Sequence, residues 1–344
     1  MVGGILKKIT VLITGIGSAG LGEQIIKSLR LSDLNLYLIG TDLNEVCFNK
    51  DNVDEFLVIP SANNPQYGDY ILDLVSRFDI DIIFPGSEAE LRYFSLNIHK
   101  FNNVIIPIND PSLIEMCLNK HKTYTEILKF GIDVPKFNKI DSVNDCNNID
   151  YFPVVLKPNT NSGGSAHVYV AFDKDELVMF TKYMLKYGID IIAQEYIEYD
   201  DNEYTIGVSS DIKGEILGSI ILKRLINNSM STNKKIMYNN KQIVISSGIS
   251  QGTFIKDDDI KIQAEKIAKA LNSKGPLNIQ ARMYSGKMML MEINPRLSGT
   301  TYLRALAGYN EPLNIIKKSY FNESSGYNYS LKTILRSIVE KEFL

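Results

Sequence analysis

Short runs of aliphatic and β-branched residues at 9–14, 36–42, 56–60, 81–87 and 103–107 alternate with stretches of helical periodicity at 23–31, 67–78 and 88–100. Apolar runs of this kind bury both faces of a strand, and their alternation with helices predicts a parallel sheet with helices packed on it. A Rossmann-like α/β domain is therefore expected over residues 1–110.

The pattern then changes. Asp110, Pro111 and Ser112 open a helical region that runs to Phe130, and Gly131 with Pro135 beyond it closes that region. Strands are predicted at 153–157 and 167–171, flanking a loop at 158–166, then a helix at 175–187 and a strand at 189–195. Strands at 203–209 and 214–222 follow, and the Asn-, Ser- and Lys-rich segment 227–241 is expected to be a surface loop. A helix is predicted over 258–272, with Ile260, Ala264, Ile267, Ala268 and Leu271 on one face and aspartates at its start.

Residues 277–284 and 287–295 form two strands of a hairpin around Ser285 and Gly286. Leu277, Ile279, Ala281 and Met283 alternate with polar residues on the first strand, as Met289, Met291 and Ile293 do on the second. Burying both apolar sets on one face requires paired positions with an even sum, such as 283 with 289 or 280 with 292, and hence a turn with an odd number of residues. That register places Gln280, Glu292 and Asn294 together on the other face. One carboxylate between two amide oxygens is a hard-oxygen set suited to Mg²⁺ or Mn²⁺, and Arg296 continues the same side as a fixed cation.

Composition narrows the partners. The 344 residues predict two or three domains, and 37 Lys plus Arg against 40 Asp plus Glu give no basic footprint, so nucleic acid is not an expected partner. The uncharged apolar stretch 9–22 is too short and too glycine-broken for a membrane helix and has no signal-peptide cleavage pattern. Cys47, Cys117 and Cys146 form no CxxC pair, which fits a reducing, cytoplasmic setting without structural zinc or disulfides. A homodimer is the default expectation.

The glycines of the segment 14–20, Gly15, Gly17 and Gly20, satisfy GxGxxG between a strand and a helix, with Asp42 ending the next strand. Such a loop can hold an anion on the helix N-terminus, and the acid can bind a ribose, as in a dinucleotide site. A glycine turn is equally what any strand-to-helix junction in such a sheet favours, and His99, His121 and His167 stand alone without a hydride-transfer partner. Glu88 and Glu90 either face a ligand or cap the helix they begin.

The segments 275–280 and 292–299 resemble the metal-binding end of the ATP-grasp superfamily, closest to its carbamoyl-phosphate-synthase-like branch. Asn119 and Lys120 resemble the entry to its ATP-binding region, where the family usually has Asp-Lys. Lys157 with Gly163, Gly164 and Ser165 is similar to the lid over the nucleotide phosphates. Gln194, Glu195, Tyr196 and Ile197 resemble the hinge that reads adenine, and Glu203 the acid on the ribose hydroxyls. Lys223 and Arg224, with the segment 247–253, resemble the acceptor side, although Gln251 stands where relatives often have arginine.

The resemblance implies an ATP-grasp fold of two α+β subdomains after the Rossmann-like domain: a lid subdomain at 111–195, a catalytic subdomain at 196–318 and a tail at 319–344. It implies an ATP- and Mg²⁺- or Mn²⁺-dependent ligase joining a small carboxylate to an amine, or a thiol, through an acyl phosphate. Arg296, Lys223 and Arg224 would neutralise the developing charge. Carbamoyl-phosphate-synthase-like phosphorylation of a small carboxylate and an NAD(P)-binding oxidoreductase are the competing expectations.

Overall fold

A computed structural model describes residues 8–17, 20–160, 166–226, 235–244, 248–323 and 328–343. The first domain contains β1 (Ile9–Ile13), α1 (Leu21–Leu29), β2 (Leu36–Asp42), β3 (Glu55–Val58), α2 (Tyr67–Phe78), β4 (Ile82–Phe84) and α3 (Glu88–Asn97). Its parallel sheet has the order β3-β2-β1-β4. Ile9, Val11 and Ile13 pack with Ile25, Ile26 and Leu29 of α1, while Leu12 packs the other way with Tyr67, Ile71 and Leu74 of α2. That two-sided burial explains why β1 is apolar without interruption. The expected fifth strand at 103–107 is reduced to one parallel bridge between Ile105 and Ile82. The backbone turns at once, with Ile108 N donating to Ile106 O across Pro107, which itself has no N–H to continue a ladder.

The helical region is two helices, α4 (Pro111–Cys117) and α5 (Lys120–Lys129), broken because Asn119 leaves the helical conformation to cap α5. The smaller sheet comprises β5 (Phe137–Ile140), β6 (Val154–Pro158), β7 (Tyr169–Ala171) and, after α6 (Lys174–Lys186), β8 (Ile191–Glu195), in the order β5-β8-β6-β7. Leu177 and Met184 of α6 cover its inner face together with Val154, Leu156, Ile191 and Ala193.

The larger sheet is built from β9 (Glu203–Ser210), β10 (Ile216–Arg224) and four later strands. Between β10 and the rest of the sheet, β11 (Lys235–Tyr238) and β12 (Lys241–Val244) form a separate hairpin. The remaining elements are β13 (Gly252–Ile255), α7 (Asp258–Ala270), β14 (Pro276–Tyr284), β15 (Lys287–Asn294), α8 (Thr301–Leu306), α9 (Glu311–Phe321) and β16 (Thr333–Ile334), giving the order β15-β14-β9-β10-β13-β16. Helices α4, α5 and α7 pack on one face of it through Leu113, Ile127, Ile260, Ala264 and Ile267.

Two expectations need correction. The polar segment 227–241 is not all loop. Residues 227–234 lie outside the described residues, and the rest turns into the β11-β12 hairpin at Asn239 and Asn240, whose φ of 49° and 61° suit asparagine in a tight turn. Of the expected C-terminal tail 319–344, the first residues complete α9 to Phe321 and β16 pairs with β13 at the sheet edge.

The β14-β15 turn has two residues, not an odd number. Ser285 and Gly286 take φ of 50° and 76°, the left-handed pair that matches strand twist, so Tyr284 faces Lys287 and Met283 faces Met288. A bulge then passes over Met291, and Gln280 faces Glu292 as expected. The buried residues of β15 are consequently Met288, Leu290 and Ile293, not Met289 and Met291. Among the described residues no helix is long and apolar enough to cross a membrane.

Candidate active site

Beyond the bulge, β14 and β15 present one polar face. Gln280 stands opposite Glu292 and Asn278 opposite Asn294, while Leu277, Ile279 and Ile293 go into the core behind them. Residues directly opposed in an antiparallel pair project the same way, so Gln280, Glu292 and Asn294 share this face with Asn278. Among the described residues no trio of His, Cys, Asp or Glu side chains forms a metal cluster. A cation here would rely on one carboxylate and amide oxygens, a donor set that fits Mg²⁺.

Two lysines approach the same face. Lys120, the first residue of α5, places Nζ 3.7 Å from Glu292 Oε1. Its position is fixed from both sides: Asn119 Oδ1 accepts from Lys122 N at 2.9 Å, and Asn159 takes the amides of Lys120 and His121 at 3.0 and 2.8 Å. Asparagine caps as well as aspartate, so the departure at 119 leaves the helix start intact. Lys157, on β6, is pushed down to about 7 by burial first and by the charge of Lys120 second. Its Nζ donates to the Tyr124 hydroxyl at 3.4 Å, which in turn donates to the Met291 carbonyl at 2.6 Å and lies 2.9 Å from Gln194 Oε1. Tyr124 thus ties α5, β6, β8 and β15 together, and burial followed by the Glu292 charge raises its pKa.

The chain leaves β8 through Gln194, Glu195, Tyr196 and Ile197. Gln194 is buried, Glu195 accepts from Lys136 N at 3.3 Å, and Tyr196 N donates to Pro153 O at 3.0 Å. The Ile197 carbonyl accepts from Arg282. Glu203 is buried, and each of its oxygens takes a guanidinium: Oε1 from Arg224 at 2.7 Å and Oε2 from Arg282 Nε at 3.0 Å. Arg282 is the residue that sequence reasoning missed. Alternation with Asn278 and Gln280 put it on the polar face, but its role follows only from its pairing across the sheet with Glu203.

Adjacent positions on β10 face opposite sides, which separates Lys223 from Arg224. Lys223 Nζ lies 2.8 Å from Asp201, whose hydrogen bond raises its pKa, while Arg224 is buried and also donates to Gly248 O at 2.8 Å. Arg296 Nη2 meets Glu88 Oε1 at 3.2 Å, across the boundary with the first domain. A cleft of about 470 Å³ opens on the Glu88 side of this pair, lined by Glu88, Arg92, Tyr93, Lys120, Glu292 and Asn294 among others but not by Arg296 itself.

The two candidate roles at the start of α3 divide between the two acids. Ser87 caps the helix and donates to Glu90 Oε2 at 2.7 Å, and burial raises the Glu90 carboxyl, whereas Glu88 faces the cleft. In the glycine loop Gly17 N donates to Asp42 Oδ2 at 2.7 Å, and Asn49 Nδ2 donates to Ile16 O at 2.7 Å. Asp42, the expected ribose acid of a dinucleotide site, is therefore engaged by the loop itself. Residues 18–19, 161–165 with Gly163, Gly164 and Ser165, and 245–247 lie outside the described residues.

Residues 11–109 match the family model for the PylC-like N-terminal domain, and residues 190–337 match that for ATP-grasp in the biosynthetic pathway with Ter operon. The carbamoyl phosphate synthase large chain of Methanosarcina barkeri is 21% identical over 84% of this chain and 28% of its own length. A D-alanine–D-alanine ligase of Rickettsia canadensis is 27% identical over 46% of this chain and 43% of its own. The chain thus spans less than half of either curated relative. The N5-carboxyaminoimidazole synthetase of Staphylococcus aureus complexed with ADP superposes with a TM-score of 0.67 at 15% identity, covering 95% of this chain and 81% of that one. The match over residues 190–337 thus places that part of the chain in an ATP-grasp family, with a PylC-like N-terminal domain before it.

Proposed function

We propose that the protein is an ATP-dependent ligase that activates a small carboxylate as an acyl phosphate and joins it to an amine. The observation that carries this reading is the convergence of Lys120 and Lys157 on the oxygen-bearing face of Gln280, Glu292 and Asn294. Two lysines beside this face suit a polyphosphate, and the hard-oxygen face suits the magnesium that travels with it. Carbamoyl phosphate synthase and D-alanine–D-alanine ligase among its relatives support the same class.

In this reading Gln194, Glu195, Tyr196 and Ile197 border the adenine, and Lys120 and Lys157 hold phosphate oxygens. Glu203 acts from behind, holding Arg224 and Arg282 where the hinge meets β14. Gln280, Glu292 and Asn294 would hold Mg²⁺, which when bound neutralises phosphate charge. The substrate carboxylate oxygen attacks the γ-phosphorus and the bond to the β-phosphate oxygen breaks, releasing ADP. The amine then attacks the acyl carbon, the carbon–oxygen bond to phosphate breaks, and inorganic phosphate leaves as the amine gives up a proton. Arg296 offsets the charge that develops on the acyl group; Lys223 and Arg224, held by Asp201 and Glu203, do not share this role in the proposal.

A screen of ADP release with MgATP across pooled amino acids, small carboxylates and sugar acids tests the reading. Glu292→Ala is expected to lower turnover by about 100-fold or more while leaving the fold intact by circular dichroism. Near-normal turnover in that variant would remove the metal assignment.

A further inference from the structure

The ion pair between Arg296 and Glu88 has no evident structural duty. Ser87 and Glu90 cap α3, so Glu88 is not needed for that, and Arg296 is positioned independently by Nη1 donating to Leu297 O at 3.0 Å. The side chains of Arg296 and Glu88 are 25% and 42% exposed, and such a pair costs little to open. Glu88 is also on the wall of the cleft that holds Lys120, Glu292 and Asn294.

A substrate carboxylate that takes Arg296 must displace Glu88. A simple monocarboxylate would leave Glu88 without its guanidinium and beside a second anion, an arrangement that like-charge repulsion disfavours. A ligand carrying an ammonium one carbon away from its carboxylate exchanges the single pair for two. Its carboxylate meets Arg296 and its ammonium meets Glu88. Resting on the ligase reading, we propose that the carboxylate substrate is a free α-amino acid whose ammonium is recognised by Glu88, with Arg296 and Glu88 holding each other's place until it binds. The cleft volume of about 470 Å³ leaves room for a side chain beyond the two charged groups.

The test compares individual L-amino acids with their N-acetyl and deamino counterparts in the full chain with MgATP. ADP release is read together with hydroxamate formed when hydroxylamine traps the acyl phosphate. Free amino acids are expected to give kcat/KM at least tenfold above the counterparts. Glu88→Gln should bring that ratio close to one, chiefly through a higher KM for the amino acid, while Glu88→Asp restores part of it. Equal use of amino acids and counterparts by the unaltered protein overturns the inference, as does a ratio that survives Glu88→Gln in folded protein. Absence of ADP release with every carboxylate would instead overturn the ligase reading and this inference with it. The comparison in the unaltered protein stands even if a Glu88 variant fails to fold.

Discussion

Lys157 carries the most informative charge in the site, because burial holds its pKa near 7 and Lys120 presses it in the same direction. The unfolded chain binds this proton up to about pH 10.4, so between pH 7 and that value the folded state carries fewer protons and stability rises with pH. Nucleotide binding has the opposite sign. A triphosphate favours charged Lys157, so affinity for MgATP is expected to fall as pH rises above 7, approaching tenfold per unit at most. Calorimetric titrations at pH 6.5, 7.5 and 8.5 with Lys157→Met as reference check this; an identical slope in the variant would refute it. Glu292, Lys120, Arg282 and Tyr124 surround the same ammonium and are unchanged in that comparison. At this scale Gln280, Glu292 and Asn294 were legible because their role follows from alternation along two neighbouring strands. Arg282 was not, because its partner Glu203 lies 79 positions away and only the pairing of β9 with β14 brings them together.

The β14-β15 hairpin shows where alternation stops being informative. Met288, Met289 and Met291 are equally apolar, so hydrophobicity alone did not reveal that Met288 and not Met289 enters the core. The two-residue turn at Ser285 and Gly286 sets one register, and the bulge at Met291 converts it to the one that aligns Gln280 with Glu292. Deleting Met291 would carry the tip register through the whole ladder and leave Glu292 opposite Gln280, removing only the bulge and the Met291 carbonyl that accepts from Tyr124. That variant is expected to retain ADP release and to unfold at a slightly lower urea concentration through the lost Tyr124 contact, whereas complete loss of release would show that the site needs the bulge itself. The split between α4 and α5 was blurred in the sequence for a simpler reason, since Asn119 both caps α5 and ends the helical run of α4.

For the molecule as a whole, the parallel first domain and the two later sheets were readable from runs and periodicity, but the return of the chain was not. Nothing local in residues 297–316 announces that Leu297, Ile315 and Ile316 finish a core begun by Ile9 and Val11. The glycine loop is an equally global matter, because Asp42 and Asn49 close it from other segments. Asp42→Ala is accordingly expected to cost about 1–3 kcal/mol of stability through the lost Gly17 contact while leaving ATP affinity unchanged. Fluorescence-monitored unfolding alongside nucleotide titration separates the two effects, and loss of nucleotide binding would bring the dinucleotide reading back.

The closing of that core by α9 has a practical corollary for anyone who would transplant modules among such enzymes. A fragment cut at residue 110 would carry a bare greasy flank where Leu297, Ile315 and Ile316 belong. Swapping the amino-terminal module for that of a cousin therefore means exchanging two stretches at once, the opening hundred residues and the helices that come home to them, or inheriting a mismatched seam.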